Sequence, residues 1–487
     1  MAPSKRLTTA PALFLAALLS SAGLAPAVAQ VQVQALAPPD LFSTPAGETG
    51  LPSDLWKDAS PGIARDVLPK LASKPLSPAS AALARRVLAT GANAPAGIGD
   101  DPDMGAARVL ALIALGDAAG ADAILDRVPG VPASPALSMA AAEAALITGA
   151  DDKACRIGEA LSVERGGAYW LRLRAFCQMA AGQHDAAQLT LTLALQQTKD
   201  ADYARLMGAA ISGAPAGAAT GPASLKNGVN YALSRKLGLD VRSPAAAATA
   251  SPALKAVLKP APDLSGGDLT AAQTATVAAL RATKGLAAFT DAAKVSSGSI
   301  AALVRADAPL EDPVLLARAA LAAGDLATAQ AIRGKLTGDT IPGATTLDLA
   351  LLDAALAAAE GRKDVQVLDG LIERGAQGGS KSPAQPAAVI LAALGGAMGP
   401  EARAQFAAFD PGKSVASATR LTVLDDAAAA DRKGEAALLA LSVAVETGAN
   451  GPGPVDRARL VRALLRAGLD ADARALAVEG LLALQVK

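Results

Sequence analysis

The chain has 487 residues, 52% of them hydrophobic but only 2% aromatic, so its apolar content is mainly Ala, Leu and Val and its intrinsic leaning is to helix. Its 45 Lys and Arg balance 45 Asp and Glu, and no basic segment is interleaved with aromatics, which removes the phosphate-neutralising footprint of a nucleic-acid binder. One histidine and two cysteines are too few for a zinc or other transition-metal site, and no cofactor is expected.

Residues 1–29 read as a cleaved secretory signal. Lys5 and Arg6 precede the apolar run "APALFLAALLSSAGLA", and Ala27-Val28-Ala29 supplies a small-x-small cleavage site. The run is shorter than the roughly 20 residues that span a bilayer, so no membrane span is expected after cleavage and the mature chain is placed in the periplasm or outside the cell. Residues 30–60 carry several prolines and little helical period, as an extended lead-in would.

From Pro61 onward, segments of helical length alternate with short breaks: "PGIARDVLPKLASK", "SPASAALARRVLATG", "DMGAARVLALIALGD", "SPALSMAAAEAALITG". Several open on Ser-Pro or Asp, where a side-chain oxygen caps free N–H groups and proline suits the first turn, and many close on glycine. The most strand-like stretch, "LTLTLAL" (Leu189 to Leu195), alternates cleanly, but helical flanks assign it to a helix with Leu189, Leu193 and Ala194 on one face. The expected class is all-α.

A glycine followed five residues later by alanine recurs at Gly116/Ala121, Gly149/Ala154 and Gly182/Ala187, with successive glycines 33 residues apart, and again at Gly324/Ala329 and Gly468/Ala473. A period in the thirties marks stacked helical hairpins: glycine makes the turn and alanine lets the second helix approach the first. The segment "VLLARAALAAGDLATAQAI" (Val314 to Ile332) carries the pattern best, with Leu316, Ala317 and Ala320 before Gly324-Asp325 and Ala329 after. These residues resemble the tetratricopeptide repeat and its short-repeat relatives over residues 104–198, with further units near 311–338 and 455–484. Arg174 and Gln178 depart from that pattern, standing where the family places an apolar and an aromatic core residue. The resemblance implies an α-solenoid of antiparallel hairpins, with a repeat region over 61–242, a Pro/Gly/Ser-rich linker over 243–268 and a second repeat region over 269–487.

Cys155 and Cys177 lie on two helical segments equidistant from a turn at residue 166, so in an antiparallel hairpin their sulfurs sit at the same height. In an exported chain an even cysteine count favours a disulfide. His184 is the one available base for a reactive cysteine, and its place seven residues beyond Cys177, past Gly182, puts it out of hydrogen-bond reach.

Other chemical patterns are thin. "SPALK" (Ser251 to Lys255) has Ser-x-x-K spacing without the companion elements of penicillin-interacting serine enzymes, "LGGAMGP" lacks the order of a phosphate loop, and Asp151-Asp152 and Asp425-Asp426 fit helix caps or solvated faces. The expected function is therefore that of a non-enzymatic exported scaffold that binds a protein or peptide in an envelope-associated assembly. If the family register holds, Tyr169, Arg172, Phe176 and Met179 point into the concave groove, where aromatic and Arg anchors are effective; the competing reading puts Trp170 and Phe176 in the core. The alternatives are an exported cell-wall glycan hydrolase or lyase on a helical scaffold, which the low aromatic content disfavours, and a structural envelope component.

Overall fold

The serine-proline pairs do start helices. In the computed structural model, Ser60, Ser134, Ser243 and Ser251 each accept a hydrogen bond from the backbone N–H three residues on, and each is followed by proline in the first turn. Asp101, Asp117, Asp200, Asp312, Asp325 and Asp364 do the same work at other starts. At the other end, Gly149 and Gly324 close their helices with φ of 88° and 87°, a left-handed conformation that a side chain would strain.

The structure describes residues 40–215, 221–258, 269–336, 341, 343–379 and 381–486. Among them are 24 α-helices, two 3₁₀ turns and no strand, so the chain is all-α. No described helix is long and apolar enough to cross a membrane. The expected signal segment lies outside the described residues, as do residues 30–39 of the lead-in and 259–268 of the linker.

Each Gly/Ala pair marks a helical hairpin: Pro102–Ala114 with Ala118–Leu125, Pro135–Thr148 with Asp151–Ala160, Ala168–Ala180 with His184–Gln197, Pro313–Ala323 with Leu326–Lys335, and Pro454–Arg466 with Asp470–Ala483. The alanines Ala121, Ala154, Ala187, Ala329 and Ala473 are all fully buried, as a close helix–helix approach requires. From Pro102 to Lys236 the helices pack largely in sequence, each on the next. Helix Gly228–Lys236 then folds back onto Pro135–Thr148, where the Gly228 N–H donates to Glu143 Oε2 at 2.8 Å.

Elsewhere the packing is not between neighbours in sequence. Helix Pro61–Leu71 packs on Lys433–Thr447, and Pro78–Ala89 packs on both Lys433–Thr447 and Asp470–Ala483. Polar staples fix this closure. Glu435 accepts the Ser60 N–H, Asp472 pairs with Arg86, and Glu479 accepts both the Ala79 N–H and, at 2.6 Å, buried Arg457. Residues 39–487 thus form one unit, and its parts before and after 243–268 touch directly, unlike an open array in which each hairpin meets only adjacent ones.

Three local expectations differ from the structure. Residues 40–60 are irregular but not an extended lead-in: Phe42, Leu55 and Trp56 are buried, and Arg108, itself buried, donates to the carbonyls of Leu41, Thr44, Leu88 and Thr90. The linker contains two six-residue helices, Pro244–Thr249 and Pro252–Val257, anchored by buried Ala246 and Leu254. "LTLTLAL" is helical, but its buried face is Ala187, Thr190, Leu191 and Ala194, while Leu189 is 66% and Leu193 45% exposed. That spacing of three, four and seven is the helical stripe; alternate leucines cannot all lie on it.

Most of the chain shares one core. A satellite core, built from residues between Ala142 and Leu237, contains Trp170, Leu173, Phe176, Tyr203 and Leu206 and carries the site described next.

Candidate functional site

Helices Asp151–Ala160 and Ala168–Ala180 run back to back about the turn at Arg165-Gly166, and the disulfide Cys155–Cys177 joins them with Cα atoms 5.6 Å apart. On the first helix Asp152, Cys155, Arg156 and Glu159 fall three, four and seven positions apart, the spacing of one face. On the second, Trp170, Leu173, Arg174, Cys177, Gln178 and Ala181 do likewise. These two faces, with Arg165 and Gln183, line a cleft of about 500 Å³.

The floor of the cleft is apolar and cross-linked. Leu173 and Trp170 are buried, the Trp170 ring stands edge-on to Tyr169 at 5.0 Å, and the disulfide ties the walls together. The rim is charged. Arg156 and Arg165 are exposed and Arg174 is half-buried, donating to the Arg165 carbonyl at 3.3 Å. None of these arginines forms an ion pair among the described residues, and neither do Asp152 or Glu159, which share the rim. Gln178 is held by the Thr190 hydroxyl at 2.7 Å.

The side chains expected in a groove sit on the opposite face. Phe176 and Met179 fill the satellite core. Arg172 pairs with Asp200 at 3.3 Å and lies 5.4 Å from the centre of the Tyr203 ring, whose hydroxyl donates to the Arg172 carbonyl at 2.9 Å. Tyr169 is enclosed beside Glu143, and burial raises the pKa of both. The correction is one of register. Tyr169, Arg172, Phe176 and Met179 share the stripe turned toward helices Pro135–Thr148 and Ala201–Ile211, and desolvating Phe176 and Met179 there outweighs leaving them in a groove.

Arg156, Glu159 and Arg165 were not singled out from the sequence. The available signal was the departure at Arg174 and Gln178 from the repeat pattern: both line the cleft, and a polar residue at a position that such repeats bury marks a face that is not buried.

The remaining candidates are taken up by structure. Asp151 pairs with Arg235 at 2.7 Å, Asp425 with Arg459 at 2.9 Å and Asp426 with Arg432 at 2.5 Å. Ser251 caps its own helix through the Leu254 N–H. His184 opens helix His184–Gln197 and is exposed. Among the described residues no group of His, Cys, Asp or Glu side chains is placed to hold a metal.

Chemically, the cleft offers three guanidinium groups that form no ion pair among the described residues, two carboxylates and an apolar floor, an arrangement suited to holding a chain segment with polar ends and an apolar middle. No family model matches the sequence, and no curated protein and no solved structure matches it either.

Proposed function

We propose that the protein is an exported scaffold of tetratricopeptide-like hairpins that holds a protein or peptide partner in the cleft beside Cys155–Cys177, within an envelope-associated assembly. The observation that carries this reading is the cleft itself: its walls are tied to each other by a covalent bond, so it needs little ordering to receive a ligand, and it gathers three arginines without ion pairs among the described residues beside Trp170. Export is supported by the leader-like first 29 residues together with the disulfide, a bond favoured outside the reducing cytoplasm.

A glycan hydrolase or lyase would use the same cleft through Asp152, Glu159 and Trp170. Trp170 is the one aromatic among the residues that line the cleft, so little surface is offered on which a sugar ring could stack, and the scaffold reading fits the cleft better.

The test is a photo-crosslinking amino acid at Gln178, with the same probe at Asp431, an exposed turn residue, as control. In the native host, the reading predicts a discrete adduct from Gln178 and none from Asp431. Equal adducts from both positions, or release of soluble fragments from cell-wall glycan by the purified chain, would count against it.

A further inference from the structure

We propose that the cleft recognises its partner through a peptide carboxylate seated among Arg156, Arg165 and Arg174, with the neighbouring apolar side chain on Trp170, Leu173 and the disulfide. This rests on the reading of the cleft as the partner site and narrows it to one ligand chemistry.

The three arginines come from three places, the first helix, the turn and the second helix, yet line one cavity and form no ion pair among the described residues. A guanidinium group presents a planar fork of donors that matches a carboxylate, and bonds of this kind are stronger than neutral ones. The chain is charge-balanced overall, so the cations of the cleft are not the overflow of a basic protein.

The two acidic residues on the rim decide which anion fits. Asp152 stands four residues before Arg156 and Glu159 three residues after it, so the central arginine is bracketed by carboxylates along its helix. A polyanion such as a nucleic acid or an acidic glycan meets those negative charges on either side. A peptide can place one carboxylate on the arginines and turn amides or an ammonium toward Asp152 and Glu159, and it brings an apolar side chain for the floor.

The carboxylate can come from an Asp or Glu side chain or from a free C-terminus, and both sources are tested together. The probes are fluorescein-labelled hexapeptides of alternating leucine and glutamate, ending in a free acid or an amide, with matched leucine–glutamine peptides ending either way. Fluorescence polarisation with the full-length protein reads the affinities. At least one carboxylate-bearing peptide should bind tenfold or more tighter than the glutamine amide, and binding should weaken as salt is raised. Arg156→Ala and Arg174→Ala should each lose most of that preference. Asp152→Asn with Glu159→Gln should strengthen it at least threefold, a gain that misfolding cannot mimic.

Equal binding of the glutamine amide would overturn the carboxylate proposal while leaving a peptide-binding cleft. Carboxylate-dependent binding unchanged in the Arg156→Ala/Arg165→Ala/Arg174→Ala variant would place the site elsewhere. Displacement by inorganic phosphate at concentrations where acetate has no effect would make it a phosphate site, and binding of none of the peptides would refute the proposal outright.

Discussion

Removing the disulfide is the perturbation whose size follows most directly from the structure. Cys155 and Cys177 are 22 residues apart. On the loop-entropy relation, releasing a loop of this length returns about 11 cal/mol/K to the denatured chain, or about 3.4 kcal/mol at 25 °C. How that appears in a melt depends on what unfolds with the hairpin. If residues 39–487 melted as one cooperative unit, an unfolding entropy of about 2.1 cal/mol/K per residue would dilute the loss to a shift of roughly 4 °C. The bond, however, spans a satellite core separate from the main one and confined to residues between Ala142 and Leu237. A segment of about 100 residues melting on its own shifts by about 4–8 °C per kcal/mol, hence by about 15–25 °C. Differential scanning calorimetry of Cys155→Ser/Cys177→Ser is expected to show two transitions, the one from the satellite core displaced downward by about 15 °C or more and the other unmoved. A single transition displaced by less than about 2 °C would refute both the loop-closure estimate and the independence of the satellite core.

Glu143 gives a pH dependence. Burial holds its carboxyl above the ordinary range, so the folded chain binds that proton more tightly than the unfolded one; stability from this group is intact below the unfolded pKa, is lost as pH rises through the folded one, and stays lost above it. Glu143→Gln keeps an acceptor for the Gly228 N–H and does not ionise, so it should melt higher than wild type at pH 8 and level with it near pH 4; a variant less stable at every pH would contradict this. Arg108→Met leaves the carbonyls of Leu41, Thr44, Leu88 and Thr90 without their donor and should lose about 3–5 kcal/mol in urea unfolding, with early protease cleavage in residues 40–58. Cleavage no faster than in wild type would show that those bonds do not hold the segment. Leu191→Ala should destabilise by about 2–5 kcal/mol while Leu189→Ala stays within about 0.5 kcal/mol, and the reverse order would restore the face first expected for that helix.

Local chemistry was the legible part of this fold. A serine before a proline and a glycine five residues before an alanine act within one turn of the chain, and each marks a helix end or a buried contact in the structure. The cysteine pairing was legible for the same reason, because equidistance from the turn at residue 166 needs no knowledge of the rest of the molecule. Helix register was harder. Tyr169 and Trp170 are adjacent, so aromatic residues fall on both sides of helix Ala168–Ala180 and neither side declares itself the core. The closure of Pro61–Leu71 and Pro78–Ala89 onto Lys433–Thr447 and Asp470–Ala483 joins segments hundreds of residues apart, and Arg86, Glu435 and Asp472 look like ordinary surface charges until those segments meet. The cleft rim is of the same kind: Arg156, Arg165 and Arg174 become neighbours through the hairpin, not through any spacing in the chain.

Hydrogen–deuterium exchange of the full-length protein, with and without the partner trapped at Gln178, tests the central claim most directly. The account predicts that protection on binding concentrates in residues 151–183, on the two helices that wall the cleft. Protection confined to Leu269–Arg305 or to the C-terminal hairpin, with residues 151–183 unchanged, would contradict it.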